Sequence, residues 1–94
     1  MKAIIRGKKY DTETAIRLAD DEFFDGTNQM NHGRSTILYK TKKGNFFACH
    51  ETCWQGEHDN IEPLTISGAK ELYEDLFHQT VEYFDAFGTE PEEA

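Results

Sequence analysis

The stretch TILYKTKKGNFFACH, residues 36–50, contains the clearest β-strand pattern in the chain. It has two runs in which β-branched and aromatic residues are frequent, and both residue types are favoured in strands. Between the runs, Lys42-Lys43-Gly44-Asn45 has the glycine and asparagine that tight turns use. The stretch therefore predicts an antiparallel hairpin with strands over 36–41 and 46–50.

Segments on both sides of this hairpin extend the β-structure. AII, residues 3–5, predicts a short strand that ends in a turn at Arg6-Gly7. KKY, residues 8–10, is either a return strand or an extended lead-in to the next element. NIEPLT, residues 60–65, predicts another short strand, and Pro63 favours an edge position because proline has no amide hydrogen.

Two helices are predicted beside the sheet. In DTETAIRLADDEF, Asp11 is a candidate N-cap and apolar residues follow at helical spacing, which predicts a helix over about 12–23. From Thr65 onward the period is again helical, with Thr65 or Ser67 as the cap and Gly88 as the stop. These patterns predict an α+β fold: an antiparallel sheet of three or four strands, an N-terminal helix and a long C-terminal amphipathic helix packed on the sheet.

The apolar residues of these elements are expected to form one modest core. A chain of 94 residues suits a single domain, 1–94, in which 89–94 is a flexible acidic tail. The predicted core residues are Ile37, Tyr39, Phe46 or Phe47, Leu64, Leu72, Leu76, Tyr83 and Phe84.

Charge is distributed unevenly along the chain, which has 18 acidic and 10 basic residues and a net charge of −8. Residues 1–10 carry four positive charges and residues 40–43 carry three more, whereas from Lys70 onward one lysine stands against eight carboxylates. This asymmetry favours a basic protein as the partner and disfavours direct binding of nucleic acid. Because no apolar run is long enough for a signal peptide or a membrane span, a cytoplasmic location without membrane attachment is expected.

The predicted C-terminal helix places a row of carboxylates opposite its apolar side, since residues three or four apart are neighbours on a helix. The excess of one sign favours a binding role over an ordinary solvated face. Asp20 and Asp21 are expected to add to it from the outer side of the first helix. The predicted partner-binding residues are Glu71, Glu74, Asp75, Glu82, Asp85, Asp20, Asp21 and Trp54. Trp54 is either an exposed anchor for a partner or a lid over the core.

The segment ACHETCWQGEHD, residues 48–59, contains both cysteines, two of the four histidines and the only tryptophan. Its cysteine spacing lacks the paired knuckles of strong zinc signatures, and Cys49 at a strand end reads equally as a small buried apolar residue. We predict no metal site and keep a small zinc-binding module as an alternative. The candidate ligands for that alternative are Cys49, Cys53 and His58, with His50 or His32 as the fourth.

Catalysis by either thiol is disfavoured by the charges around it. A reactive thiolate needs a cationic setting, and this segment instead carries Glu51, Glu57 and Asp59. The sequence also lacks a phosphate-binding glycine loop and a nucleophile elbow. The chain is therefore predicted to be no enzyme and to hold no cofactor.

Four short segments resemble a group of small proteins of bacteria and of their phages or other mobile elements. The motifs have the forms GKxYDTETA and LYxTKxGxFF, and the resemblance implies an α+β fold and a mobile-element setting. It carries over no catalytic residue. The group is glycine-rich where this chain has CHETCWQGEHD, so the two cysteines are a departure from it. The segments are GKKYDTETA (7–15), LYKTKKGNFF (38–47), IEPLT (61–65) and EYFDAFG (82–88).

These observations predict a small acidic module that binds protein and has no catalytic activity. A line of carboxylates presents negative charge to a basic protein somewhat as a phosphate backbone does. The predicted function is inhibition of a host nucleic-acid-binding or defence protein, of the anti-CRISPR or anti-restriction kind, by imitation of nucleic acid. The alternatives are the zinc-binding module and a structural homodimer that buries the aromatic edge of the long helix.

Overall fold

An antiparallel sheet lies at the centre of the computed structural model, which describes residues 1–21, 34–52, 56, 58–76, 78–91 and 93. In this part of the chain the large sheet has five strands, in the order β6-β5-β4-β3-β7, and β1 pairs with β2 in a separate hairpin. The elements are β1 (Lys2–Ile5), β2 (Lys8–Asp11), β3 (Ile16–Asp20), β4 (Arg34–Lys40), β5 (Phe46–Thr52), β6 (Asn60–Leu64), α1 (Ile66–Asp75), β7 (His78–Gln79) and α2 (Tyr83–Phe87).

The predicted central hairpin is confirmed, because β4 and β5 pair in antiparallel register along their whole length. Its turn is closed by Thr41, whose amide donates to the carbonyl of Asn45 at 2.7 Å. The Thr41 hydroxyl in turn accepts from the amide of Asn45 at 3.0 Å. Gly44 has φ of 91°, a left-handed conformation that costs glycine little. This turn fixes which side chains of the two central strands lie opposite each other.

The flanking strands are confirmed as well. β1 and β2 form an antiparallel hairpin, so KKY belongs to a return strand. Its turn contains Arg6 with φ of 53° and Gly7 with φ of 79°. β6 pairs with β5 and lies at one edge of the large sheet, where Pro63 needs no amide hydrogen for a further strand.

The helix predicted over 12–23 is wrong. Asp11 does cap a turn, because its carboxylate accepts from the amide of Glu13 at 2.9 Å and its carbonyl from the amide of Ala15 at 3.1 Å. The turn goes no further, since the next residues form β3 and pair with β4. Residues 22 and 23 of that prediction lie outside the described residues.

A β-bulge places two neighbouring apolar residues of β3 on one face of the sheet. The register with β4 shifts between Arg17 and Ala19, so Leu18 is an extra residue on this strand. Leu18 and Ala19 are adjacent, yet both belong to the same buried cluster. A regular strand would have sent them to opposite faces.

The prediction of a long C-terminal helix is also wrong, because the described residues contain two short helices there. The predicted fold class is wrong with it, because these residues are mostly antiparallel β-structure. Thr65 caps α1 as predicted, its hydroxyl accepting from the amide of Gly68 at 3.0 Å. The helix ends at Leu76, which is extended with φ of −79° and ψ of 139°. α2 ends at Gly88, the predicted stop, with φ of 77°.

The break between α1 and α2 supplies partners for the free edge of β3. β7 pairs with β3, and just beyond it the amide of Thr80 donates to the carbonyl of Leu18 at 3.0 Å. The Thr80 hydroxyl donates to the carbonyl of Arg17 at 2.9 Å. The Gln79 amide group donates to the carbonyls of Tyr73 and Leu76 at 2.9 and 2.6 Å and so caps the end of α1. An unbroken helix would have left these backbone groups of β3 without their partners.

Both faces of the large sheet are buried. α1 and α2 cover one face, where Leu18, Leu38 and Phe87 belong to one apolar cluster. The β1–β2 hairpin covers the other, where Tyr10 and Phe47 belong to a second cluster. No helix among the described residues has the length and apolar composition needed to cross a lipid bilayer.

The predicted core is confirmed with one exception. The prediction that Phe84 belongs to the core is wrong, because 51% of its surface is exposed. The predicted residues that are buried are Ile37, Tyr39, Phe46, Phe47 and Leu76, and those that are partly buried are Leu64, Leu72 and Tyr83.

Phe47→Ala and Phe84→Ala make the same chemical change at a buried and an exposed position. The Phe47 ring is fully buried and lies 5.1 Å from the ring centroid of Tyr39 and 5.4 Å from that of Tyr10. We expect Phe47→Ala to lower the free energy of unfolding by about 3–5 kcal/mol. Phe84→Ala should lower it by less than about 1 kcal/mol. Urea unfolding followed by circular dichroism measures both, and equal losses would contradict this placement of the two rings.

Candidate functional site

Five of the seven carboxylates predicted to bind a partner are exposed on the two C-terminal helices or at their ends. Together they are called the acidic helical surface. Within the described part of the chain, no lysine or arginine lies within ion-pairing distance of any of them. The surface therefore keeps its full negative charge. Its residues are Glu71, Glu74 and Asp75 on α1, and Glu82 and Asp85 at the start of α2.

The predicted unbroken row of these carboxylates is wrong. α1 ends at Asp75, and β7 separates it from the second group of carboxylates. The acidic helical surface consequently has two short groups instead of one helical line. The physical cause is the pairing of β7 with β3, which takes this part of the chain out of the helical conformation.

Lys70, the one lysine of the C-terminal third, is used in packing. Its ammonium lies 5.9 Å from the ring centroids of both Tyr83 and Phe87, within the range of a cation–π contact. Tyr73 on α1 makes edge contacts with the same two rings, at 5.7 and 5.5 Å. These contacts fix α2 against α1 and pack Tyr73, Tyr83 and Phe87 against one another.

Phe84 gives the acidic helical surface an apolar component. α2 buries Ala86 and Phe87 against the sheet and leaves Phe84 exposed between Glu82 and Asp85. Exposed single aromatic rings are common, but a ring bordered by unpaired carboxylates has the composition of an interface, with an apolar centre and a charged rim.

Asp20 and Asp21 lie in a different setting from the one predicted. The outward position of Asp20 is wrong, because 2% of it is exposed and its carboxylate accepts from the Arg17 guanidinium at 3.1 Å. The other carboxylate oxygen lies 3.3 Å from Nδ1 of His78, so this buried charge is paired as burial requires. The Asp21 carboxylate is half-buried and accepts from the amide of Thr36 at 2.8 Å. Both residues hold β3 in the sheet. Trp54, the remaining predicted contact, lies outside the described residues.

Cys49 is a fully buried member of the cluster under the β1–β2 hairpin, which confirms its interpretation as a small apolar residue. Burial raises the pKa of its thiol, and the negative charges of Glu51 and Asp59 raise it further, against an opposing effect of the N-terminal ammonium. The protonated thiol is a weak nucleophile, so these effects disfavour nucleophilic chemistry at Cys49.

Two of the other candidate zinc ligands, His50 and His58, are among the described residues, and they line a cavity instead of meeting at Cys49. His50 follows it on β5 and so points to the opposite face, where it lines a cavity of about 420 Å³ together with His58. Cys53 and His32 lie outside the described residues. Within the described ranges, no three His, Cys, Asp or Glu side chains are grouped so that they could hold a metal ion.

Thr36 and His50, which line this cavity, belong to a series of hydrogen bonds that the sequence analysis missed. The Thr36 hydroxyl lies 3.4 Å from Nδ1 of His50, and Nε2 of His50 lies 2.9 Å from the Glu62 carboxylate. Hydroxyl, imidazole and carboxylate stand in the order used by nucleophilic hydrolases. Here, however, the Thr36 amide already donates to Asp21, and Glu51 and Glu62 would repel a developing oxyanion. We assign no catalytic step to this series of hydrogen bonds, which joins β4, β5 and β6. The sequence indicates it only through the pairing register of these strands, which depends on the turn between β4 and β5.

Comparisons with protein-family models, with curated proteins and with solved structures find no match to this chain. The resemblance to small proteins of mobile elements therefore stays a prediction. The interpretation of each surface has to rest on its own geometry and charge.

The buried thiol of Cys49 gives a prediction about reactivity. In Cys53→Ala, where Cys49 is the one remaining thiol, we expect the folded protein to react with Ellman's reagent far more slowly than the urea-unfolded chain, which should release one equivalent. Because only a single thiol is present, the absorbance at completion identifies it directly. Fast modification of the folded protein would contradict the burial of Cys49.

The raised pKa of Cys49 also predicts how stability depends on pH. Folding favours the protonated thiol, so its contribution is complete below the unfolded-state pKa and is lost as pH rises through the folded-state pKa. The free energy of unfolding of Cys53→Ala should therefore fall above about pH 8.5, and more steeply than in Cys49→Ala/Cys53→Ala. Burial also raises the pKa of Tyr73, but both variants retain this residue, so the difference in slope reports Cys49 alone. Identical slopes would count against a shifted thiol.

Proposed function

We propose that this protein is a non-catalytic binding module that uses the acidic helical surface to bind a protein with a cationic face, with Phe84 as the apolar anchor. The observation that carries the proposal is the combination of five exposed carboxylates that have no ion pair to a lysine or arginine among the described residues and an exposed aromatic ring next to Asp85 in the sequence.

The carboxylates of α1 repel one another in the free protein. Glu71 lies three and four positions before Glu74 and Asp75, and like charges at these spacings destabilise a helix by roughly 0.2–0.5 kcal/mol per pair. The Lys70 ammonium lies over the Tyr83 and Phe87 rings and pairs with none of these carboxylates. Cations supplied by a partner would remove this repulsion, and charge complementarity would raise the rate of association.

Phe84 adds an apolar contact to the electrostatic attraction of the carboxylates. Exposed carboxylates give a fast but weak encounter, whereas aromatic residues that become buried at an interface contribute most of the affinity. A ring between Glu82 and Asp85 fits a partner surface on which an apolar depression is surrounded by lysine or arginine. Nucleic acid does not fit, because its phosphates would be repelled by the same carboxylates.

The class of partner we propose is a nucleic-acid-binding or defence protein of a bacterial host, because such proteins present dense cationic surfaces. The two separate groups of carboxylates match a patch of positive charge better than a groove made for a long phosphate backbone. Inhibition would then follow from occupation of that patch. The suspected relation to proteins of phages and mobile elements supports this choice of partner.

Two double variants with the same change in net charge test the surface. Glu71→Gln/Glu74→Gln alters the acidic helical surface, and Glu13→Gln/Glu51→Gln alters exposed carboxylates elsewhere. Each protein is immobilised, exposed to bacterial lysate and eluted with a salt gradient, and eluted proteins are identified by mass spectrometry. We expect wild type and Glu13→Gln/Glu51→Gln to retain the same basic protein. Glu71→Gln/Glu74→Gln should bind it on the order of tenfold more weakly, equivalent to about 1.4 kcal/mol.

Phe84→Ala separates the apolar contribution from the electrostatic one. With the partner purified, this variant should dissociate faster while the salt dependence of association stays that of wild type, because its carboxylates are unchanged. If both double variants retain the partner equally, or if elution from wild type is independent of salt, the acidic helical surface is not the binding site.

A further inference from the structure

Four lysines surround one cleft at the turns of the two hairpins. The cleft has a volume of about 380 Å³, and its lining includes Lys8 and Lys9 from the first hairpin and Lys42 and Lys43 from the turn between β4 and β5. Thr14 and Thr41 also line it, and no carboxylate is among its lining residues in the described part of the chain. Two basic segments that are far apart in the sequence therefore meet in space, and we name this region the lysine cleft.

Three of the other described cations take part in the packing of the fold, and the lysines of this cleft do not. Arg17 pairs with Asp20, Lys40 donates to the carbonyl of Ala86 at 3.0 Å, and Lys70 lies over two rings. By contrast, all four lysines of the cleft are exposed, and none of them has an ion pair within the described ranges. Their positive charge is not used by the fold itself.

Solubility does not account for this arrangement. The chain has a net charge of −8, so each added lysine brings the net charge closer to zero and weakens the repulsion that keeps molecules apart. Four like charges around one cleft also repel each other. An anion in the cleft would relieve that repulsion, and the Thr41 hydroxyl, which accepts from the amide of Asn45, could donate a hydrogen bond to its oxygens.

We propose that the lysine cleft binds a small phosphorylated anion that carries two or three phosphoryl groups. Its volume lies within the range of small-molecule sites, and several ammonium groups that converge on a compact anion are a common arrangement for phosphate recognition. A nucleic acid is a poorer occupant, because a long polyanion would also meet the field of the eighteen acidic residues. The proposal is independent of the acidic helical surface, since it concerns other residues and the opposite charge.

Titration calorimetry with inorganic tripolyphosphate at low ionic strength tests the cleft. We expect saturable binding of one ion per chain. Lys42→Gln/Lys43→Gln should weaken it at least about tenfold, whereas Lys42→Arg/Lys43→Arg, which keeps both charges, should bind within about threefold of wild type. Both substitutions lie in an exposed turn, and an amide NMR spectrum of each variant shows whether the fold is retained.

Lys2→Gln is the control, because it removes an exposed positive charge that does not line the cleft. It should leave the affinity within about twofold of wild type. If Lys2→Gln weakens binding as much as Lys42→Gln/Lys43→Gln does, the anion interacts only with the overall field and the proposal fails. It also fails if tripolyphosphate does not saturate, or if a single-stranded oligonucleotide of about ten residues binds far more tightly, since the cleft would then be part of a nucleic-acid surface.

Discussion

The central pair of strands is buried on both faces, and most of the structure follows from the need to cover it. Leu38 on β4 and Phe47 and Ala48 on β5 are completely inaccessible to solvent, although neighbouring residues of a strand point to opposite faces. One face is therefore covered by the β1–β2 hairpin and the other by α1 and α2. This demand places the aromatic residues of the helices inward, and the carboxylates between them are left to face solvent.

A second constraint, the free edge of β3, decides the shape of the acidic helical surface. β3 pairs with β4 on one side only, so the backbone groups on its other side need partners. β7 and Thr80 provide them, and the helix has to end for this to happen. The division of the carboxylates into two groups is thus a consequence of sheet pairing. The acidic helical surface therefore has one group of carboxylates on α1 and another at the start of α2, next to Phe84 in the sequence, in place of one long line of charge.

The sequence predicts the parts of this fold whose signals are local. The turn from Thr41 to Asn45, the cap at Thr65 and the stop at Gly88 depend on neighbouring residues, and all three are present. The errors have a non-local cause. The bulge at Leu18 places two neighbouring residues of β3 on one face, which the alternating pattern of a regular strand does not predict. The break after α1 contains neither proline nor glycine, because its cause is an edge of β3 more than fifty residues earlier. The apolar periodicity of the sequence indicates neither the bulge nor the unpaired edge of β3.

The same difference explains which site residues the sequence could indicate. Exposure of the α1 carboxylates follows from a helical pattern that is correct over that segment, whereas the burial of Asp20 depends on its pairing with Arg17 across the bulge. The lysine cleft depends on two hairpin turns that meet only after folding, although each basic segment is evident in the sequence alone.

The net charge of the protein acts at long range, whereas the lysines of the cleft act at short range. The net charge of −8 draws a cationic protein from a distance and opposes every anion in proportion to its charge. The net negative charge repels an anion with few charges least. Several lysines that lie close together can therefore hold such an anion on a protein that is acidic overall.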